Sequence, residues 1–324
     1  MRSFRRGQRW LLAGIMLVLV LPVRAADVDK YLPGDAEFVS QINFKQILDS
    51  PVVKKHALDK LKEKLKQHDE AVKILDSLGF DPFKDLTSIT LAGNGLETDS
   101  KPFIIAHGIF DLAKFEAKAE EVGKNMPDTL KIHKEGDHKI YEIKVEGGHS
   151  DEPAFVGLID RTTIVVANTK DYILESFARA EGKKKGTVKK EVQDLIEKTD
   201  GKQSVWVVIP ANLLGKNPLA QQDEETKKLV DKMDSFSLGL SVEKDVKLAI
   251  TIASKSTENA KQLADDLKNK VEQGKNALTL FAGQIPQLAP FVDVLGNAKA
   301  DTEGKTVTLK IEVSEEVIEK ALKP

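Results

Sequence analysis

Two stretches of this chain share one pattern: residues 38–48, FVSQINFKQIL, and residues 204–214, SVWVVIPANLL. Each begins with apolar residues typical of a buried strand and then passes into a leucine-containing bend. A proline follows in both copies, Pro51 and Pro218, and a charged segment with helical periodicity comes next. The pattern predicts two equivalent strands around which the rest of the chain is arranged, with Phe38 matched to Ser204.

The similarity between the two parts of the chain continues beyond these strands. Residues 88–92, SITLA, match residues 235–239, SFSLG, and the helices that follow begin at the N-cap candidates Asp111 and Ser256. The turns at 129–136 and 297–304 are followed by strands whose apolar residues match at a constant offset of 168: Tyr141 and Leu309, Ile143 and Ile311, Val145 and Val313. A constant offset through a turn and its flanking strands predicts an internal duplication.

The order of elements predicts the fold class. Hairpins dominate over strand–helix–strand alternation, which indicates an antiparallel sheet. One long helix is predicted from Val53 to Leu78, with a single apolar stripe made by Leu58, Leu61, Leu65, His68, Val72 and Leu75. A single stripe covers one sheet face, so we expect an α+β fold: internally duplicated, with a mainly antiparallel sheet and helices packed largely on one face.

The domain boundaries follow from changes in composition. Residues 26–180 form the first predicted α+β repeat and residues 201–324 the second. Between them, residues 181–186, EGKKKG, are polar and flanked by glycine, so 181–200 is interpreted as a polar linker with a short helix. The halves differ at the hairpin 154–167, which has no match in the second half, and at the apolar, proline-broken segment 277–295.

The first 25 residues have the pattern of a secretory signal peptide. Four arginines precede an apolar run from Trp10 to Leu21, and small residues at Val23 and Ala25 predict cleavage after Ala25. The expected location is the bacterial periplasm or the exterior, without a stable membrane span after cleavage. A retained membrane anchor is the alternative, and the export route, general secretory or twin-arginine, is left open.

Composition excludes some classes of function. Setting aside the five arginines of residues 1–25 leaves 44 basic and 51 acidic side chains, and only Arg161 and Arg179 among the basic ones are arginine. An acidic, arginine-poor chain argues against nucleic-acid binding. The chain has no cysteine, so it has neither disulfides nor a thiolate for catalysis or metal binding.

Catalytic and metal-binding motifs are not matched. The residues around Gly304-Lys305-Thr306 and Gly239-Leu240-Ser241 lack the glycines that a phosphate loop and a nucleophile elbow need. His133 and His138 flank a turn that contains Asp137, with His107 and His149 not far away in sequence, and we expect solvent-facing side chains there rather than a metal site. The sequence therefore predicts no enzyme activity, no cofactor and no metal.

Three segments together resemble a known group of proteins. They are residues 32–38, LPGDAEF, residues 78–85, LGFDPFKD, and residues 158–166, LIDRTTIVV. Their order is similar to that of exported two-repeat proteins abundant in planctomycete-type bacteria. The resemblance implies an envelope location; it implies no activity and no functional residues.

Two readings of function come first. One is a non-enzymatic envelope protein, a structural or interaction module with an unknown envelope protein as its partner. The other is a carrier of an apolar ligand bound between sheet and helices, with 277–295 as a lid and a pocket lined by Phe281, Ile285, Leu288 and Phe291. Those four residues could equally fill an ordinary core. A hydrolase with unrecognised residues is the third reading.

Overall fold

A computed structural model of the chain describes residues 25–96, 100–144, 152–185, 188–217 and 221–322. Twelve strands of these residues form one sheet, in the order β11-β12-β10-β9-β8-β1-β2-β3-β7-β6-β5-β4. Each pairing between neighbours is antiparallel. The strands are β1 Phe38–Ile42, β2 Leu86–Gly93, β3 Phe103–Gly108, β4 Leu130–Glu135, β5 His138–Ile143, β6 Ala154–Asp160, β7 Thr163–Ala167, β8 Val205–Pro210, β9 Met233–Val242, β10 Val246–Ser254, β11 Lys299–Glu303 and β12 Thr306–Val313.

Helices follow the strands in both halves, and the predicted α+β class is confirmed. They are α1 Phe44–Asp49, α2 Pro51–His56, α3 Leu58–Lys66, α4 Asp69–Leu78, α5 Pro82–Asp85, α6 Leu112–Asn125, α7 Lys170–Ala180, α8 Lys190–Lys198, α9 Ala211–Lys216, α10 Glu224–Asp231, α11 Thr257–Ala282, α12 Ala289–Gly296 and α13 Glu315–Leu322. A 3₁₀ turn, Pro286–Leu288, separates α11 from α12. The predicted N-caps Asp111 and Ser256 accept hydrogen bonds from the backbone N–H groups of Lys114 and Asn259.

The two strands singled out in the sequence lie side by side at the centre of the sheet. Val39 of β1 is paired with Val208 of β8, and Gln41 is paired with Trp206. Val39 is 0% exposed and Trp206 is 2% exposed. The two halves of the chain are therefore joined through backbone hydrogen bonds and a shared core rather than through a flexible connection.

The register of this pair corrects the predicted alignment by one residue. Matching Phe38 to Ser204 matches Val39 to Val205, which pairs with Ile42 and so points to the opposite face of the sheet. A shift of 167 residues instead matches Val39 to Trp206, both buried, and relates both ends of α9 to both ends of α1. Residues 205–209 are all apolar, so their sequence pattern does not define which of them face the core.

One face of the first-half sheet is sealed by helices α7 and α8 and by residues 25–36, which we call the N-terminal strap. Buried side chains of this face come from both halves: Val39, Ala92, Phe103, Ile105, Ile140, Val165, Trp206 and Val208. Helix α7 packs close to β6 because Gly157 has no side chain; a Cβ there would be 2.6 Å from Cγ2 of Ile173. We call this the sealed face.

The segment predicted as a polar linker contributes to that core. Val188, Val192 and Ile196 are buried in the same cluster as Val39 and Trp206. The strap lies beside this segment, because the backbone N–H of Ala26 donates to the Thr199 carbonyl at 2.9 Å. Residues 188–200 therefore hold the two halves together in addition to connecting them.

The opposite face carries the other helices. In the second half its residues Phe236, Ile250, Ile252 and Val307 pack against α11 through a cluster that includes Leu263. The predicted helix from Val53 to Leu78 is divided into α2, α3 and α4, with non-helical backbone at Ala57 and His68. A straight helix of that length would run about 39 Å, and the two breaks keep the segment short. His68, predicted to be partly buried, is exposed at the second break.

An ion pair between the strap and β3 makes stability depend on pH. Nε2 of His107 lies 2.6 Å from Oδ2 of Asp29, and this hydrogen bond raises the pKa of His107 above its usual 6.5. A group whose pKa is higher in the folded state stabilises that state fully below its unfolded pKa, and the contribution is lost as pH rises through the folded pKa. The strap is therefore held more weakly in alkaline solution.

We expect the His107→Gln variant to lack this dependence, because glutamine can donate to Asp29 but does not titrate between pH 5 and 9. The free energy of unfolding of the wild type, minus that of the variant, should fall as pH rises from about 6.5. Urea unfolding at a series of pH values measures the difference. A difference that stays constant across the range would show that this contact does not titrate as described.

Candidate apolar binding site

The first-half sheet is covered unequally on its two faces. On the sealed face, Phe103, Ile105 and Val165 are 0% exposed. On the opposite face of the same strands, Ile104 and Val166 are only partly buried, and Leu91 of the neighbouring strand is 36% exposed. We call this the open face, because its apolar residues remain accessible between the helices.

A cavity of about 260 Å³ lies on the open face, where α4 and α6 cross β4, β5 and β6. Its wall is apolar except for one amine and one phenol. The residues that line it are Ile74, Leu78, Phe115, Lys118, Ala119, Val122, Leu130, Tyr141, Ile143, Val156 and Leu158. Apolar cavities with a few polar groups are the usual form of a small-molecule site.

Local packing fixes the position of α6 beside this cavity. Gly123 lets the helix approach the sheet, because a Cβ there would lie 3.3 Å from Cδ2 of Leu130. At the other end of the helix, Phe115 meets Phe110 and Phe80 edge to face, with ring centroids 6.0 and 6.3 Å away. These contacts hold one wall of the cavity in place.

Tyr141 supplies the polar group of the interior. The residue is 4% exposed, and its hydroxyl is buried with no hydrogen-bond partner. Burial, and to a lesser extent the Glu116 carboxylate, raises the pKa of the phenol above its usual value. The hydroxyl therefore stays protonated at neutral pH and is able to donate a hydrogen bond. An unpaired buried hydroxyl is costly, about 1–3 kcal/mol, and a ligand acceptor would remove that cost.

Charged side chains surround the entrance. Nζ of Lys118 is 3.0 Å from a carboxylate oxygen of Glu121. Nζ of Lys139 contacts Glu116 at 2.6 Å and Glu120 at 3.2 Å. The polar groups thus lie around an apolar interior, an arrangement that suits an amphipathic molecule.

The outer wall of the cavity is loosely packed. None of the described side chains of α3 and α4 is buried, and Leu61 and Ile74 are among the exposed large apolar residues. A second cavity of about 460 Å³ lies on the other side of α4, lined in part by Leu58, Val72 and Leu75. A helix pair with few buried contacts can move at low cost, so α3 and α4 form a displaceable cover.

The pocket predicted in the second half has a different environment. Phe281 and Ile285 are 56% and 48% exposed, and Leu288 and Phe291 are partly buried. Residues this exposed do not enclose a ligand. The reason is that α11 continues to Ala282, so Phe281 extends beyond the sheet instead of folding back over it.

The histidines near the predicted turn are paired rather than free in solvent. Nε2 of His133 is 2.7 Å from Glu142, and Nε2 of His138 is 3.1 Å from Glu181. The imidazole of His138 also stacks on Phe177 with centroids 4.0 Å apart. Asp137 is exposed, and His149 lies outside the described residues. The expectation of solvent-facing histidines is therefore wrong, because each of these two rings has a carboxylate partner.

Comparisons with known proteins give a distant similarity of fold. No protein-family model matches the chain, and no curated protein matches its sequence. Crystal form III of TP0453 is 12% identical, over 91% of this chain and 98% of that one, with a TM-score of 0.47. Crystal form I gives 12% identity, 92% and 98% coverage and a TM-score of 0.46. Within the described residues, no helix has the length and apolar character needed to cross a bilayer.

Proposed function

We propose that this protein binds an amphipathic small molecule in the cavity of the open face. The observation that carries the proposal is the buried, unpartnered hydroxyl of Tyr141 inside an otherwise apolar cavity. Native proteins rarely leave such a hydroxyl unpaired, because desolvation is not repaid. The role is binding rather than catalysis: the described wall combines no nucleophile with a general base.

The chemical class of the ligand follows from the lining. An alkyl or ring portion would replace water against Leu130, Ile143 and Val156, each buried methylene contributing about 0.8 kcal/mol. A carbonyl, carboxylate or ether oxygen would accept the hydrogen bond of Tyr141, and a negative charge would be favoured by Lys118 at the entrance. Displacement of α3 and α4 would admit a molecule larger than the cavity now accommodates.

Export and duplication complete the proposal. The basic and apolar pattern of residues 1–25, which lie almost wholly outside the described residues, supports secretion with cleavage after Ala25. Supporting duplication, both hairpins that end the halves have left-handed glycines 168 residues apart, Gly136 and Gly304. N-terminal sequencing of protein from the envelope fraction is expected to begin at Ala26; a chain that retains Met1 in the membrane would contradict export by cleavage.

Filling the cavity tests the proposed site. We expect Ala119→Trp to abolish binding of the fluorescent probe N-phenyl-1-naphthylamine, because the indole would occupy the space that the probe needs. Ala117→Trp is the matched control: it lies on the same helix but is exposed, so binding should be unchanged. Fluorescence titration of the three proteins gives the affinities, and equal binding by Ala119→Trp would place the probe elsewhere.

Removing the Tyr141 hydroxyl separates the two parts of the ligand. Tyr141→Phe keeps the ring and deletes an unpaired donor, so the free energy of unfolding should stay the same or rise. A long-chain carboxylate that competes with the probe should bind roughly five- to tenfold more weakly, the cost of one hydrogen bond of about 1–1.5 kcal/mol. The hydrocarbon probe itself should bind unchanged. Equal weakening of both ligands would mean that the hydroxyl does not recognise a polar group.

A further inference from the structure

The end of helix α2 and the C-terminal helix α13 bring three metal-ligating side chains together. Glu315 and Glu319 are one helical turn apart on α13, so both carboxylates lie on the same side. Oε1 of Glu315 is 3.8 Å and Oε1 of Glu319 is 3.9 Å from Nε2 of His56. Among the described residues this is the one group of three or more histidine or acidic side chains whose ligand atoms all lie within 4.8 Å.

His56 has no hydrogen-bond partner for the nitrogen that faces the two glutamates. Its Nε2 atom is buried, and 3.8 Å is too long for a hydrogen bond. A buried nitrogen without a partner in a native protein requires an explanation, and an absent ion or water is one of the few available. The other paired histidines differ in this respect, since His107 and His133 each contact a carboxylate directly.

The position between the two carboxylates already attracts a cation. Nζ of Lys55 lies 2.7 Å from Glu315 and 2.6 Å from Glu319. An ammonium group has no lone pair to offer and cannot use the nitrogen of His56. The Lys55 side chain is 55% exposed, and its flexible stem allows the ammonium to move into solvent when a better cation arrives.

We propose that His56, Glu315 and Glu319 form a divalent-metal site, suited to Zn²⁺, which the metal occupies by displacing Lys55. One imidazole and two carboxylates are a common ligand set for zinc, with distances near 2.0–2.2 Å and a fourth position for water. The present separations exceed those of a bound site by only a few tenths of an ångström. Calcium prefers six to eight oxygens, which these three side chains do not provide.

The metal would fasten the C-terminal helix to the first half of the chain. Two polar contacts already align these segments: the backbone N–H of Val52 donates to the Glu243 carbonyl, and the N–H of Glu315 donates to Asp245. The ligands are thus held by backbone contacts and need little rearrangement to bind. This site is remote in sequence and lining from the cavity of the open face, and it does not depend on the proposed ligand.

Calorimetric titration of the mature protein with zinc sulfate tests the site. We expect one Zn²⁺ per chain and a higher melting temperature in its presence. His56→Gln and Glu319→Gln should each weaken binding by at least about tenfold, the scale seen when even outer-shell partners of a metal are lost. Lys55→Met should tighten binding, because it removes the competing ammonium.

The Lys55 variant distinguishes a metal site from a simple ion-pair cluster. If the group only stabilises the helix contact, Lys55→Met lowers the melting temperature and zinc has no effect on any variant; that result would overturn the proposal. His133→Gln is the control for surface histidines and should bind zinc as the wild type does. Stoichiometric binding that persists in the His56→Gln, Glu319→Gln double variant would likewise refute the assignment.

Discussion

Pairing of β1 with β8 is the interaction on which the rest of the structure depends. These two strands begin the two halves of the chain, and their backbone hydrogen bonds make one sheet out of what could have been two. Behind the pair, Val39 and Trp206 enter a cluster that also contains Ile196 of α8. Because this cluster draws on both halves, neither half can bury its own central strand alone.

The sealed and open faces explain where a ligand can bind. A sheet needs apolar contacts on at least one face for stability, and the sealed face supplies them through α7, α8 and the N-terminal strap. The first-half open face is then free to be covered loosely by α3, α4 and α6. Stability and ligand access are thereby assigned to opposite faces of the same strands, and a displaceable cover does not expose the core around Trp206.

Sequence patterns predict the strands, the hairpins and the helix caps, because each depends on neighbours close in sequence. They do not predict the partner of β1, since strand pairing is a contact between distant segments. The one-residue error at β8 has a similar cause: a continuous apolar run carries no alternation to define its faces. The break at His68 was missed because the spacing of apolar residues continues through it, although the backbone does not.

The candidate sites were harder to predict than the fold. Tyr141 shares the apolar side of β5 with Ile143, and nothing in that pattern reveals that its hydroxyl lacks a partner. His56 meets Glu315 and Glu319 across more than 250 residues, so no local motif records the group. The apolar segment 277–295 attracted attention through its composition, but exposure of Phe281 depends on how far α11 extends beyond the sheet.

Native-state hydrogen exchange in the Trp206→Ala variant tests the central claim, that the β1–β8 pair makes the two halves one cooperative unit. Loss of this buried indole should cost about 3–5 kcal/mol. Shared cooperativity predicts that the most protected amides of β3 in the first half and β10 in the second lose the same free energy of protection. Loss confined to β10, with β3 exchanging as in the wild type, would show that the halves unfold separately and would contradict the account.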